Sequence, residues 1–239
     1  MKGNAAKTVL PFFILYRADD TFGQKSTLNN RLIIFLRNPE MGKVKTRLAK
    51  TVGEESALAI YYKLLEHTRT ISQHLPVQKY LYYSDFVDTE DNWPGSHYQK
   101  VLQSRGNLGD RMKQAFADAF AQDCDAVVVI GTDCLDLSSA IIIKAFECLQ
   151  RHDAVIGPAA DGGYYLLGLK ACHPEIFENK IWSSDTVLGD TQKDFDRLDL
   201  KWSKLPLLRD VDTFDDLDDK LKSIVQGNRG FIKPSSDEQ

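Results

Sequence analysis

The sequence lacks the features by which several large classes of protein are identified. It has no C-x-x-C pair and no cysteine spacing typical of zinc sites, so we expect free thiols in a reducing compartment, the cytoplasm. No apolar stretch is long enough for a transmembrane helix. Residues 9–16 are apolar but contain a proline and precede no convincing cleavage site, so a signal peptide is the less favoured interpretation. The four cysteines are Cys124, Cys134, Cys148 and Cys172.

An excess of positive charge is missing too. The chain has 30 Lys and Arg residues against 34 Asp and Glu residues, which gives a net charge of −4. A general nucleic-acid binder needs a broad basic surface for its phosphate contacts. The composition therefore argues against a nucleic acid as partner, and any group of cations in the chain must be local and suited to a small anion.

Common catalytic and nucleotide-binding motifs are not found. A Walker A loop would need a glycine five positions before Gly42 and a Ser or Thr after Lys43, where the sequence has Arg37 and Val44. A dinucleotide fingerprint needs three closely spaced glycines, and only Gly42 is present in this loop. The five histidines have no ligand spacing and no G-x-S-x-G partner, so a Ser-His hydrolase is not supported.

The chain is long enough for one large α/β domain, since 43% of its 239 residues are hydrophobic. We interpret residues 1–30 as an extension that docks loosely, residues 31–226 as the single domain and residues 227–239 as a flexible tail. Strand patterns alternate with helix patterns after residue 30, which predicts an α/β fold with a mostly parallel sheet. Strands are predicted at 32–36, 77–83, 98–102, 126–130, 153–156, 164–169 and near 205–208, and helices from 51 or 53 to 75 and at 108–121, 139–149, 186–197 and 213–225.

A loop crowded with cations follows the first predicted strand. In an open parallel sheet, ligands bind outside the carboxyl ends of the strands, where this loop would lie. Several cations that converge there would be neutralised by a phosphate or a diphosphate, and a glycine would let the backbone approach it. The alternative is a solvated basic turn. The candidate phosphate-binding residues are Arg37, Gly42, Lys43, Lys45 and Arg47.

Acidic side chains follow two later strands at the same predicted edge. Asp133 comes directly after the most hydrophobic strand, where an ionised group needs a partner such as a divalent cation. The alternative, a carboxylate in the first turn of a helix, suits Asp136 better than Asp133. Asp210 and Asp212 precede the last predicted helix, and either could supply a second carboxylate. We favour Asp212, so the predicted metal ligands are Asp133 and Asp212.

A tight turn, Asp161-Gly162-Gly163, precedes the strand at 164–169. Paired glycines before a strand allow close contact between the backbone and a ligand. The alternative is an ordinary loop in which Asp161 accepts a hydrogen bond from its own backbone. Trp182, further along the chain, either shapes an acceptor pocket or packs in the core.

Six motifs occur together in a characteristic order: NPEMGKVKTRLA, GNLGDRM, GTDCLDL, GPAADGGYYLLGL, IWSSDTV and DVDTFDDL. They cover about residues 31–222 and resemble the DUF2064 family, whose members are described as glycosyltransferases of the arsenosugar-biosynthesis or "radical SAM/selenodomain-associated transferase 1" type. The resemblance implies a three-layer α/β/α fold of the GT-A, nucleotide-diphospho-sugar transferase type, with a mixed, mostly parallel sheet.

The resemblance also implies roles for single residues. Lys43, Lys45 and Arg47 would hold nucleotide phosphates, Asp133 would bind the metal, and Asp161 would face the acceptor or sugar. We therefore expect a glycosyltransferase-like enzyme that uses a nucleotide sugar, a small-molecule acceptor and Mg²⁺ or Mn²⁺. A nucleotidyltransferase that releases pyrophosphate and a non-catalytic nucleotide-binding module are the alternatives. The expected catalytic residues are Asp133, Asp161 and Lys45, and Gly109, Gly162 and Gly163 join the basic loop as ligand-binding residues.

Overall fold

The structure is a computed structural model and describes residues 28–229. The predicted extension falls mostly on residues 1–27 and the predicted tail mostly on 230–239, and both of these segments lie outside the described residues. The strands are β1 Asn30–Leu36, β2 Gln78–Tyr83, β3 Gln99–Leu102, β4 Ala126–Ile130, β5 Ala154–Pro158, β6 Tyr164–Leu169 and β7 Trp202–Lys204. The helices are α1 Thr46–Val52, α2 Glu54–Ser72, α3 Leu108–Phe120, α4 Ser139–Leu149, α5 Val187–Arg197 and α6 Asp219–Arg229.

The strands form one seven-stranded sheet in the order β3-β2-β1-β4-β6-β5-β7. All neighbouring pairs are parallel except the two that involve β6, which runs against both β4 and β5. The carboxyl ends of β1 and β4, two adjacent parallel strands, therefore lie at the same edge of the sheet. The predicted α/β class with a mixed, mostly parallel sheet is confirmed.

Helices cover both faces of the sheet, because the strands alternate apolar side chains between two cores. On one face α1, α2, α4 and α6 pack on residues such as Leu32, Ile34 and Val128. On the other face α3 and α5 pack on residues such as Ile33, Val127 and Val129. The central strand β4 is fully buried, as expected for a strand with helices on both sides. No helix among residues 28–229 is long and apolar enough to cross a membrane.

Most predicted helix starts are found, because their caps are local. The Asn107 side chain accepts from the backbone N–H of Asp110, and the Asp110 carboxylate accepts from the N–H of Asn107, which completes a capping box at α3. The Ser138 side chain accepts from the N–H of Ile141 and caps α4. Cys124, Cys134, Cys148 and Cys172 are free thiols, as predicted.

The structure differs from the prediction in three places. The helix predicted from 51 or 53 is found as α2, but the prediction missed α1, which Gly53, with φ 84°, separates from α2. The strand predicted near 205–208 is wrong: β7 ends at Lys204, since Pro206 has no N–H to donate to the sheet. The capping box of Thr213 and Asp216 exists, but it caps the short 3₁₀ helix Phe214–Asp216. The last helix begins later, where Asp218 accepts from the N–H of Leu221.

Candidate active site

A cluster of ion pairs lies beyond the carboxyl ends of β1 and β4. Lys45 Nζ lies 2.6 Å from Asp133 Oδ1 and 3.4 Å from Asp212 Oδ1, and only 5% of the Lys45 side chain is exposed. Arg47 Nη2 lies 2.8 Å from Asp212 Oδ2. The structure thus brings together four of the predicted site residues, from the basic loop, the end of β4 and the loop before α6.

The backbone before α1 positions Lys45. Lys45 adopts the left-handed conformation, with φ 46° and ψ 42°, which costs a residue with a Cβ about 1 kcal/mol or more. Gly42, three residues earlier, has φ 73°, a conformation that glycine adopts without that penalty. These two residues bend the loop back, so that Lys45 lies in the cluster rather than in solvent.

The other two cations of the loop lie outside the cluster. Lys43 is exposed, and its Nζ pairs with Glu40 Oε2 at 2.7 Å. The hydrogen bond that Lys43 donates to Glu40 raises the pKa of Lys43. Arg37 is also exposed at the end of β1. The contact of Arg37 and Lys43 with phosphate stays a prediction. To make that contact, Lys43 would have to leave Glu40.

Asp210, the alternative to Asp212 as second carboxylate, is a half-buried acid next to the cluster. Burial first, and then the charges of Asp133, Asp161 and Asp212, raise the pKa of Asp210 to about 7, although Lys45 acts in the opposite direction. The residue between the two acids, Val211, is buried, and its N–H donates to the Asp133 carbonyl at 2.8 Å. The spacing of Asp210 and Asp212 around an apolar residue was therefore a signal that both acids face the same edge.

The donor chemistry of this cluster fits Mg²⁺ or Mn²⁺, because both ions prefer carboxylate oxygens. Lys45 contacts two carboxylates, Asp133 and Asp212, and the charges of Asp133, Asp161 and Asp212 add to burial in raising the pKa of Asp210. Among residues 28–229, however, no three His, Cys, Asp or Glu side chains are gathered as a ready ligand set. Asp133 and Asp212 would hold such an ion only with ligands from the substrate or water, and Lys45 now neutralises both carboxylates.

The turn at Asp161-Gly162-Gly163 is built by its backbone. Asp161 Oδ1 accepts from the N–H of Gly163 at 2.9 Å, which is the local hydrogen bond expected if this turn is an ordinary loop. Gly162 has φ 88°, and a Cβ there would lie 2.2 Å from the carbonyl oxygen of Asp185. Because Asp161 also raises the pKa of Asp210, the turn lies beside the cluster. The predicted ligand contacts of all three residues stay predictions.

Gly109 has a packing role at the start of α3. A Cβ at this position would lie 2.3 Å from Trp182 Nε1, so only glycine lets the indole approach the helix. Trp182 is half-buried and packs against the core on the α3 side of the sheet. This contact favours the core interpretation of Trp182, and it neither requires nor prevents a ligand contact at Gly109.

Away from this cluster, a charged cavity lies between α5 and the 3₁₀ helix Pro174–Phe177. It has a volume of about 390 Å³ and contains none of the predicted site residues. Its charges largely pair with one another: Lys180 and Arg197 both contact Asp194, and Lys193 contacts Asp190. We therefore place the candidate active site at the Asp133 cluster.

Comparisons with known proteins agree with the fold and with the motifs. The model of the family DUF2064, "Uncharacterized protein conserved in bacteria", matches residues 67–184. A candidate nucleotide-diphospho-sugar transferase from Desulfovibrio desulfuricans G20 is 29% identical, with a TM-score of 0.76 over 85% of this chain and 96% of that chain. The chain has no match among curated proteins.

A more distant structure shares the fold alone. The 4-diphosphocytidyl-2C-methyl-D-erythritol synthase from Anaerococcus prevotii DSM 20548 is 13% identical, with a TM-score of 0.51 over 84% of this chain and 96% of that chain. The range matched by the family model contains Asp133 and Asp161, whereas the basic loop precedes it and Asp212 follows it. The DUF2064 model therefore matches residues 67–184, and the resemblance predicted from the motifs is confirmed over that range.

Proposed function

We propose that this protein is a metal-dependent transferase that uses a nucleotide sugar and transfers the sugar to a small-molecule acceptor. The observation that carries the proposal is the contact of Lys45 with both Asp133 and Asp212, at the edge of the sheet where such folds bind ligands. The Desulfovibrio protein, whose name includes nucleotide-diphospho-sugar transferase, supports the substrate class. The free cysteines are consistent with action in the cytoplasm.

The charges of the cluster suit a diphosphate bound together with a cation. Bound Mg²⁺ or Mn²⁺ would supply charge stabilisation on the diphosphate oxygens. Asp133 and Asp212 would hold that ion, and Lys45, released from them, would turn to the phosphates. Arg47 is exposed and contacts the Asp212 carboxylate, so it can follow. The exchange replaces one cation on the carboxylates by another and leaves no buried charge unpaired.

The basic side chains act on the leaving group. In glycosyl transfer the bond from the sugar carbon to the diphosphate breaks, and negative charge builds on the leaving oxygen. Lys45 and Arg47 would stabilise that charge from positions fixed before the reaction. Asp161, beside the cluster, would contact the acceptor or the sugar. These roles follow from the type and position of each side chain.

Nucleotidyl transfer needs the same cations and carboxylates around the phosphates, so the products must decide between the two reactions. The purified protein would be incubated with nucleoside triphosphates and with nucleotide sugars, with Mn²⁺ or with a chelator, and with a panel of small acceptors. We expect metal-dependent release of a nucleoside diphosphate from a nucleotide sugar. Release of pyrophosphate would instead establish a nucleotidyltransferase. Binding without either product would support the non-catalytic module.

A further inference from the structure

One buried hydroxyl group joins the two halves of the candidate active site. Tyr61, on α2, is 2% exposed. Its hydroxyl accepts from the backbone N–H of Arg37 at 2.9 Å and donates to the Arg37 carbonyl at 3.0 Å. Thr132 Oγ1 lies 3.4 Å from the same oxygen and can donate to it. A tyrosine hydroxyl has one proton and two lone pairs, so these three contacts satisfy it completely.

The hydroxyl lies where two neighbouring strands separate. β1 and β4 pair from Asn30↔Ala126 to Ile34↔Ile130 and no further. In that register Arg37 and Asp133 would be opposite each other, three residues beyond the last pair. The separation leaves the N–H and the carbonyl of Arg37 without a partner from β4, and the Tyr61 hydroxyl supplies both hydrogen bonds.

This contact links the basic loop to the acids. Arg37 begins the loop that carries Lys45 and leads into α1 with Arg47, and Thr132 immediately precedes Asp133. On its other side, the Asp133 carbonyl accepts from the N–H of Val211, which ties it to Asp212 independently of Tyr61. Apart from the ion pairs of Lys45 and Arg47, the acids are therefore linked to each other by one contact, and the start of the basic loop is linked to the acids by another.

We propose that Tyr61 is a positioning residue that sets the distance between the phosphate-binding loop and Asp133. The inference rests on the proposed function, because it concerns a ligand that spans both halves: a diphosphate complexed with a divalent cation. A ligand that touches the acids alone does not depend on Tyr61. The hydroxyl acts as a neutral donor, since burial raises the pKa of Tyr61 and keeps it protonated.

Removal of the hydroxyl is a clean test, because the ring packs in the core and phenylalanine keeps that packing. In Y61F we expect the affinity for Mn²⁺ with inorganic pyrophosphate, measured by calorimetry, to fall about tenfold. The affinity for Mn²⁺ alone, measured by electron paramagnetic resonance, should stay within about twofold. Pyrophosphate serves as the probe because it needs no knowledge of the base or the sugar.

Tyr98 offers a matched control, because its side chain also contacts α2. The Tyr98 hydroxyl is also buried and contacts α2, at Ser72 Oγ (2.9 Å) and at the Arg69 carbonyl (3.2 Å), near the opposite end of that helix. Y98F should lose a similar amount of thermal stability and keep both affinities. A purely structural role of Tyr61 would make the two variants alike, and that result would overturn the proposal.

A second variant keeps the test decisive if Y61F does not fold. T132V removes the hydroxyl next to Asp133 with little change of shape, and we expect about a threefold weaker affinity for Mn²⁺ with pyrophosphate and an unchanged affinity for Mn²⁺. Equal affinities of T132V and the unmodified protein would contradict the proposal. If the unmodified protein binds neither probe, the proposed function itself fails, which is a different result from equal binding by the variants.

Discussion

Two regions of this protein bury a lysine among acidic side chains, and they differ in charge balance. Lys180 has a side chain 2% exposed and contacts Asp194, which Arg197 also contacts at 2.9 Å. Lys45 has a side chain 5% exposed and contacts Asp133 and Asp212, with Asp210 nearby. The first region carries about as many cations as anions. The second has more anions, so it can accept another cation.

The acids in the two regions show the same difference. The hydrogen bond from Lys193 lowers the pKa of Asp190, beside the first lysine. Burial and three neighbouring carboxylates raise the pKa of Asp210, beside the second. A buried lysine alone is therefore no sign of an active site in this protein. The useful sign is a group of acids that their own cations do not neutralise.

The largest expected effect comes from Asp133→Asn, because it removes a proposed metal ligand and the closest partner of Lys45. We expect metal-dependent binding of a nucleoside diphosphate to weaken by at least about 100-fold, equivalent to about 2.7 kcal/mol. Calorimetry with and without Mn²⁺ measures it. Asp190→Asn, in the balanced region, is the control and should bind as the unmodified protein does. Unchanged binding by Asp133→Asn would refute the assignment.

Lys45→Met should strengthen the binding of Mn²⁺ alone and weaken the binding of Mn²⁺ with pyrophosphate. Without the lysine, Mn²⁺ alone should bind several-fold more tightly, since no cation competes for Asp133 and Asp212. Mn²⁺ with pyrophosphate should bind about 30-fold more weakly, because the phosphates lose a cation, a loss of about 2 kcal/mol. Both affinities can be measured by calorimetry.

The matched substitution in the other region is Lys180→Met. It should leave both affinities unchanged and lower the free energy of unfolding by about 2 kcal/mol, because Asp194 loses one of two cationic partners. Urea unfolding measures that loss. If Lys45→Met and Lys180→Met affected ligand binding equally, the distinction between the two regions would be wrong.

Asp210 should act on stability rather than on ligand affinity, through the pH dependence of unfolding without metal. Its folded-state pKa, about 7, is above the ordinary value of an aspartate, so the folded state holds one more proton than the unfolded state between about pH 4 and 7. The free energy of unfolding therefore falls as pH rises through that range.

Asp210→Asn should remove most of this fall and be more stable than the unmodified protein at pH 8 by about 2 kcal/mol. Urea unfolding at pH 4.5 and pH 8 in a chelator checks it. The carboxylate of Asp190 gives the opposite sign, since its lowered pKa makes its contribution disappear as pH falls. Parallel pH profiles of Asp210→Asn and the unmodified protein would show that the pKa of Asp210 is not raised in the folded protein.

Much of the fold follows from local sequence signals. The apolar run of β4, the glycine that separates α1 from α2 and the capping box at Asn107 each act over a few residues. The start of α6 could not be predicted in the same way, because two acids, Asp216 and Asp218, offer competing caps a few residues apart. The choice between them depends on how the chain packs after Val211.

The candidate site was predictable in its chemistry and less so in its contacts. Strand ends followed by Lys45 and by Asp133 point to one edge of a parallel sheet, and the structure places them in contact. Lys43 and Lys45 are two lysines of the same loop, so the sequence does not show which one reaches the acids. The left-handed backbone of Lys45 directs it into the cluster. The role of Tyr61 is not visible in the sequence, where it fits an ordinary core position, because its hydroxyl partners are 24 and 71 residues away.

The most direct test of the site is a crystal structure of the protein with Mn²⁺ and a nucleoside diphosphate, with the manganese located by its anomalous scattering. We expect one manganese bound directly to the Asp133 carboxylate, with Lys45 Nζ moved from Asp133 to a phosphate oxygen. Manganese and diphosphate bound elsewhere, with Lys45 still paired to Asp133, would contradict the account.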